Sequence, residues 1–261
     1  MPLTQQECTA AIAEHSAGFA DAATGNLDTD VEFCPGWRVR DVVHHLTQVH
    51  WFWATIVEDR LTEEPQDLDR PDQADDTTVI EVFRAGAERL VRVLGEADST
   101  AHVWTWAPSQ QDAAFVIRHQ VQEAIGHHWD VVHAVGRTVR ISAPVGADSV
   151  DEFLHFSVSS PEDPGTEGEP LPTPLDGRIG LACTDSDAAW LVVDADPPGT
   201  ASVTRTSRAA IDAEGVLTVT GTGGQLLLWL YDRHGDPGGD VDDGAIDPGL
   251  RQRFRGLCLT D

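Results

Sequence analysis

The chain has 261 residues and no lysine, so all 17 of its basic residues are arginines. Mechanisms that need a lysine, such as Schiff-base formation or the lysine of a phosphate-binding P-loop, are therefore excluded. Positive charge is scarce altogether, because 44 Asp and Glu residues leave a formal net charge of −27. Such a field repels phosphate backbones and anionic lipid, so we expect neither nucleic acid nor a membrane as a partner.

Long apolar runs are missing as well. No uncharged stretch is long enough to cross a bilayer, and residues 1–10 have neither the basic nor the apolar segment of a secretion signal. The chain has only four cysteines, Cys8, Cys34, Cys183 and Cys258. No two of them have the CxxC spacing of a metal or redox motif. We therefore expect a cytoplasmic protein whose thiols are reduced.

Helical periodicity dominates residues 1–140, whereas residues 145–261 contain more Gly, Pro and short β-prone runs. The first region predicts a four-helix bundle, with helices at Thr4–Ala23, Val39–Leu61, Thr77–Gly95 and Ala113–Val135. The second predicts a smaller α+β domain, with strands at Arg178–Thr184, Ala189–Asp194, Ala201–Thr206 and Val216–Thr220 and helices at Gly224–Tyr231 and Pro248–Leu257. The fold class predicted for the chain is therefore α+β.

Two loops are predicted to lie at the surface of the second domain. Ser159–Pro174 is acidic and rich in Pro and Gly, and Asp236–Asp243 is acidic and rich in Gly. The second loop lacks the spaced ligands and the closing Glu of a calcium loop, so we interpret it as solvated.

Histidine is the unusual part of the composition: seven of the eleven fall on the second and fourth predicted helices. On the fourth helix Glu123 and His127 lie one turn apart on the same face, where they can chelate one cation. On the second helix His45 and His50 flank the apolar stripe on opposite sides, and spacing alone does not choose between them. One of them with Glu123 and His127 would leave a position open for water or substrate, which is typical of catalytic zinc.

Each of these residues also has a purely structural interpretation. A Glu–His pair at this spacing is often a surface feature, and Asp130 is equally consistent with a residue that orients a ligand histidine and with a surface charge. Cys34 fits a packed loop cysteine better than a reactive thiol. Five aromatic residues fit a core better than a substrate platform: Trp51, Phe52, Trp53, Trp104 and Trp106.

Residues 34–46 (CPGWRVRDVVHHL), 104–108 (WTWAP) and 118–130 (RHQVQEAIGHHWD) resemble signatures of the mycothiol-dependent maleylpyruvate isomerase family. Proteins of that family have a DinB-like four-helix bundle. Residues 224–233 (GQLLLWLYDR) are similar to the family's C-terminal domain, whose fold is like that of sterol carrier protein 2. The resemblance spans nearly the whole chain and keeps the same domain order.

The resemblance implies specific roles for four residues. His45, Glu123 and His127 match the family's metal ligands, which settles the choice on the second helix in favour of His45. Arg233 lies near the position at which the family carries an arginine implicated in substrate handling. A zinc or other divalent-metal enzyme is implied, with mycothiol as thiol cosubstrate, a small electrophile as substrate, and a second domain that closes over the bundle.

The activity implied is that of an isomerase or a thiol S-transferase. Two other functions fit the same residues: a hydrolase in which the metal activates water, and a non-catalytic binding protein of the same fold.

Overall fold

The computed structural model describes residues 2–66, 70–160, 171–235, 239–244 and 246–258. The chain divides into two compact units, Pro2–Val139 and Arg140–Asp261. None of the helices in the described ranges is both long enough and apolar enough to cross a membrane. Each unit has its own secondary structure.

The Pro2–Val139 unit contains four long helices, α1 (Gln5–Ala23), α2 (Val39–Asp59), α3 (Val79–Glu96) and α4 (Ala113–Ala134). Helices α1 and α2 each pack against both α3 and α4. The four helices predicted from periodicity are therefore confirmed, with ends that differ by no more than two residues. Fully buried side chains fill the space between the helices, among them Phe19, Leu46, Phe83 and Val131.

Side-chain caps fix where the helices begin. Thr4 and Glu7 form a capping box at the start of α1: the Glu7 amide donates to Thr4 Oγ1 at 3.3 Å, and the Thr4 amide donates to Glu7 Oε2 at 2.8 Å. Asp112 Oδ1 accepts from the Phe115 amide at 3.0 Å and so starts α4. The residue at which α4 begins determines where its later residues lie along the axis of the bundle.

Helices α1 and α4 approach each other unusually closely at Gly18. A Cβ on Gly18 would lie 2.4 Å from Cε1 of His128, so any larger residue would force the histidine ring or the helices to shift. One turn away along α1, His15 Nδ1 lies 3.0 Å from His128 Nδ1. Burial lowers the pKa of His15 and lowers that of His128 to about 3, so the pair is neutral and one ring donates to the other.

The Arg140–Asp261 unit is an α+β domain, and the predicted fold class is confirmed. Its elements in chain order are α5 (Ala143–Phe156), β1 (Arg178–Cys183), β2 (Ala189–Asp194), β3 (Ala201–Thr206), α6 (Arg208–Ala213), β4 (Thr218–Gly221), α7 (Gly223–Leu230) and α8 (Pro248–Leu257). The sheet has the order β3-β2-β1-β4, with β1 antiparallel to β2 and parallel to β4. Helices α5 and α7 pack against each other.

Two helices of this unit were not predicted, α5 and α6. Helix α5 begins with Pro144 at its start and buries Asp148 and Glu152 along with its apolar residues, so its buried face does not follow a simple hydrophobic period. Helix α6 has six residues and is capped by Ser207, whose side chain accepts from the Ala210 amide. Such a short segment contains too few residues to show a helical period.

The two surface loops are only partly as expected. Residues 161–170 and 236–238 lie outside the described residues. Ser159 is fully buried and its amide donates to the Leu257 carbonyl at 2.8 Å, so the prediction of an exposed loop is wrong there. The prediction of a solvated loop is wrong at Asp243, because Asp243 Oδ2 accepts from Trp229 Nε1 at 3.0 Å and also pairs with Arg251.

Candidate metal centre

Helices α2 and α4 bring His45, Glu123 and His127 together. Each offers one donor atom, and the three atoms lie within 4.8 Å of one another. His127 Nε2 is 3.6 Å from Glu123 Oε2, and the rings of His45 and His127 meet edge to face with centroids 4.8 Å apart. All three side chains are half-buried. The geometry gives two imidazoles and one carboxylate that converge from two facing helices.

The donor set fits a cation of the size of zinc. Tetrahedral zinc bonds to nitrogen and oxygen of about 2.0–2.2 Å place neighbouring donor atoms about 3.3–3.6 Å apart. The 3.6 Å between His127 Nε2 and Glu123 Oε2 falls in that range. Nitrogen and carboxylate oxygen are both ligands that zinc accepts, and three protein ligands leave a fourth position for another molecule.

The protonation state of His45 is also the one that a metal ligand needs. Burial lowers the pKa of His45 and the nearby charge of His127 lowers it further, while Glu123 and Asp130 act in the opposite direction. The ring is therefore more readily neutral than an exposed histidine, and a neutral imidazole has a lone pair to donate to a cation.

Asp130 orients His127 from the other side of the ring. Its carboxylate is buried, and Oδ2 lies 3.2 Å from His127 Nδ1. The interpretation of Asp130 as a surface charge is therefore wrong. When Nδ1–H donates to Asp130, the lone pair of the ring is at Nε2, which faces Glu123. Cys34 Sγ approaches the same carboxylate oxygen at 3.8 Å.

His50 was the alternative to His45. Within the part of the chain that the structure describes, it is not one of the residues that could hold a metal ion together. Its ring is fully buried and packs against Phe83 with centroids 5.4 Å apart. Burial, followed by the charges of His127 and His45, lowers the pKa of His50 to about 3. His50 is therefore a neutral residue of the bundle interior.

Two indole rings lie near the candidate ligands, one beside His45 and one beside His119, a neighbour of Glu123. Trp37 lies 5.2 Å from the ring of His45, and Trp106 lies 5.3 Å from the ring of His119, both measured between centroids. Trp53 is buried, as predicted, but the core prediction is wrong for Trp106, which is 38% exposed. Trp37 is 37% exposed, so two accessible indoles flank the candidate metal centre.

His119 is a neighbour of this centre that the sequence analysis did not single out. Its Nε2 lies 3.7 Å from Glu123 Oε1, the carboxylate oxygen that does not face His127. The signal was present in the sequence, because His119, Glu123 and His127 follow one another at intervals of four residues on one helix.

Arg233 belongs to the other unit, where it follows α7. Its Nη1 donates to the Tyr231 carbonyl at 3.1 Å, and its guanidinium lies 5.3 Å from the centre of the Tyr231 ring. It lines a cavity of about 250 Å³ together with Trp229, Asp243 and Arg251. Its role in substrate handling stays a prediction.

Comparison with known proteins places these observations in context. A family model described as the mycothiol maleylpyruvate isomerase N-terminal domain matches residues 8–132, the region that holds all three candidate ligands. No curated protein matches the chain.

Two solved structures are similar to the chain. A crystal structure of the mycothiol-dependent maleylpyruvate isomerase is 11% identical, with a TM-score of 0.59 over 94% of this chain and 95% of that one. A histidine-to-alanine mutant of the mycothiol-dependent maleylpyruvate isomerase is also 11% identical, with a TM-score of 0.55 over 87% and 88%. At this identity the likeness shows a shared fold.

Proposed function

The N-terminal unit of this chain belongs to the mycothiol maleylpyruvate isomerase N-terminal domain family, and from that premise we propose a mycothiol-dependent enzyme that works with a divalent cation. The expected cation is zinc, and the proposed ligands are His45, Glu123 and His127. The observation that carries the proposal is the convergence of these three donors, within 4.8 Å of one another, inside the matched region.

A divalent cation held by these side chains would lower the pKa of a thiol that joins it, so that the thiol is deprotonated at neutral pH. The protein's own residues would hold and position the cation. Glu123 contributes negative charge that offsets part of the cation's charge. Asp130 accepts the Nδ1 proton of His127 and thereby holds the ring with Nε2 towards Glu123.

The proposed reaction is an addition of the mycothiol thiolate to an electrophilic carbon of a small unsaturated substrate. The new carbon–sulfur bond forms as the π electrons of the double bond move onto the adjacent electron-withdrawing group. In an isomerase, rotation about the resulting single bond precedes expulsion of the thiolate. In a thiol S-transferase, the carbon takes up a proton and the thioether remains.

Two parts of the chain are candidates for holding the substrate. The accessible indoles of Trp37, beside His45, and of Trp106, beside His119, offer flat apolar surfaces. Arg233 is our candidate for an anionic group on the substrate, because a guanidinium binds a carboxylate through two parallel hydrogen bonds. The cytoplasmic location stays a prediction.

The test is a screen of small electrophiles, maleylpyruvate first, with mycothiol and the zinc-loaded protein, analysed by mass spectrometry and NMR. We expect isomerisation or thioether formation that needs mycothiol and is lost in His127→Ala. The matched control is His133→Ala on the same helix, which removes a ring that faces Glu32 at 3.3 Å. Turnover without any thiol would contradict the proposal and favour a hydrolase. The absence of both metal uptake and turnover would favour a binding protein.

A further inference from the structure

The side of His127 that faces away from Glu123 carries a second set of donors. Cys34, His127 and Asp130 each offer one atom, and these atoms lie within 4.8 Å of one another. Asp130 Oδ2 is central to the set, 3.2 Å from His127 Nδ1 and 3.8 Å from Cys34 Sγ. The set therefore joins a thiol, an imidazole and a carboxylate around one point.

These spacings match the edges of a metal coordination sphere. With a zinc–sulfur bond of about 2.3 Å and bonds to nitrogen and oxygen of about 2.0–2.2 Å, tetrahedral edges are about 3.6 Å for S···O and about 3.4 Å for N···O. The distances in the structure are 3.8 Å and 3.2 Å. Both distances are within a few tenths of an ångström of these edges, and the sulfur and the ring nitrogen lie within 4.8 Å of each other.

Two separate parts of the backbone hold Cys34 and Asp130 in place. Cys34 lies in a tight loop before α2, where its amide donates to the Val31 carbonyl at 3.3 Å and its carbonyl accepts from the Trp37 amide at 2.9 Å. The Val31 amide in turn donates to the Trp37 carbonyl at 3.0 Å. Asp130 is buried on α4 and is 1% exposed. Both side chains are thus fixed by separate elements and converge on Nδ1 of His127.

We propose that Cys34, Asp130 and Nδ1 of His127 form a second cation site, which prefers thiophilic divalent ions such as Cd²⁺. A thiolate favours soft ions, whereas the set of two imidazoles and a carboxylate on the other side of the ring contains no sulfur. Binding releases the Cys34 thiol proton to solvent as the sulfur–metal bond forms. The thiolate and the carboxylate then balance the double charge of the ion.

The two sites exclude each other because they share one imidazole. A neutral ring has one lone pair and one N–H. An ion on Nε2 leaves Nδ1–H to donate to Asp130, whereas an ion on Nδ1 places the proton on Nε2, next to Glu123. A thiophilic ion therefore displaces the ion held by His45, Glu123 and His127. Only this exclusion rests on the proposed function; the second site itself does not.

The test is a titration of the metal-free protein with Cd²⁺, followed by the thiolate-to-cadmium absorption band in the ultraviolet. We expect the band to saturate at one equivalent per chain and to be lost in Cys34→Ser. Cys258→Ser, which removes a thiol from the other unit, is the matched control and should keep the band. Glu123→Gln should also keep it, because this carboxylate belongs to the first set only. A missing band in the wild type, or an unchanged band in Cys34→Ser, would overturn the proposal.

Exclusion is measured by adding Cd²⁺ to the zinc-loaded protein and counting bound ions after desalting. In the wild type, we expect zinc to leave as the cadmium band grows, with one bound ion per chain throughout. Cys34→Ser should still bind zinc, which would show that the variant folds. Two ions per chain would overturn the exclusion. A cadmium band without any zinc binding in the wild type would refute the proposed function and leave the second site standing.

Discussion

The candidate chemistry depends most on His127, because both nitrogens of its ring face carboxylate groups. Nε2 is 3.6 Å from Glu123 and Nδ1 is 3.2 Å from Asp130. The contact with Glu123 follows from the spacing of four residues along a helix. Asp130, three positions on, is within the same helical reach, but the burial of its carboxylate does not follow from spacing, because the sequence does not tell whether another element covers it. Its approach to Cys34, 96 residues away in the chain, is a purely tertiary feature.

The spacing of residues along α2 also does not decide between His45 and His50 as the metal ligand. Both histidines flank the apolar stripe of α2, so a helical wheel ranks them equally. The packing of α3 separates them: His50 is covered by Phe83, whereas His45 remains half-buried beside His127. The resemblance to a known family supplied the choice that spacing left open.

Removal of the Asp130 carboxylate should weaken metal binding without removing a proposed ligand of the first site. In Asp130→Ala the Nδ1 proton of His127 loses its acceptor and the ring loses its orientation, so we expect the affinity for zinc to fall about 10–100-fold. The measurement is competition with a chelating dye. Asp21→Ala, which removes an exposed carboxylate paired with Arg84, is the control and should bind zinc as the wild type does. Equal affinities in both variants would contradict a positioning role.

The burial of His50 should make the metal-free protein sensitive to acid. Its pKa is about 3 in the folded chain and about 6.5 in the unfolded chain. Between these values the unfolded chain binds a proton that the folded chain does not, so stability falls as the pH falls. This residue should contribute up to about 1.4 kcal/mol per pH unit to the decrease in the free energy of unfolding.

The measurement is denaturant unfolding of the wild type and His50→Leu between about pH 7 and about pH 4.5, in the presence of chelator. We expect the variant to lose less stability on acidification than the wild type. Parallel pH profiles for the two proteins would show that His50 takes no part in the acid sensitivity.

At the scale of elements, strongly amphipathic helices and strands bounded by turn residues were predictable. All four bundle helices and all four strands lie where the periodicity placed them, to within two residues. Helix α5 was not predictable from the same signal, because it buries Asp148 and Glu152. Buried carboxyl groups look like surface residues in a sequence, and only the neighbouring elements reveal how they are accommodated.

The close approach of α1 and α4 at Gly18 makes the stability of the protein sensitive to the size of that residue. Gly18→Ala should destabilise the protein by about 1–3 kcal/mol, because the new Cβ would meet the buried ring of His128 at 2.4 Å. The control is Gly86→Ala on α3, where nothing lies within 4 Å of the added atom. There the higher helix propensity of Ala should stabilise the protein by up to about 1 kcal/mol. Chemical denaturation measures both, and a stabilising Gly18→Ala would contradict the close packing of these helices.

At the scale of the whole molecule, the excess of acidic residues is the dominant property. Arginines form surface pairs, such as Arg89 with Glu58 and Arg178 with Glu214. With 17 arginines against 44 acidic residues, most carboxylates have no arginine of their own. The resulting repulsion acts across the surface and opposes the compact state.

Salt should therefore stabilise the protein. Because dissolved ions screen repulsion between exposed charges, we expect the thermal midpoint to rise by several degrees between about 0.01 M and about 0.5 M NaCl. Differential scanning calorimetry in the presence of chelator measures this, and an equal osmolarity of sucrose serves as the uncharged control. A midpoint that falls with salt would mean that the surface ion pairs outweigh the net repulsion.

The anomalous diffraction of a zinc-soaked crystal at the zinc edge tests the proposed metal centre most directly. We predict one peak per chain, about 2.0–2.2 Å from a ring nitrogen of His45, Nε2 of His127 and a carboxylate oxygen of Glu123. The same peak should be present in His50→Ala and absent in His45→Ala. A peak elsewhere, or no peak at these residues in the fully soaked wild-type crystal, would contradict the account.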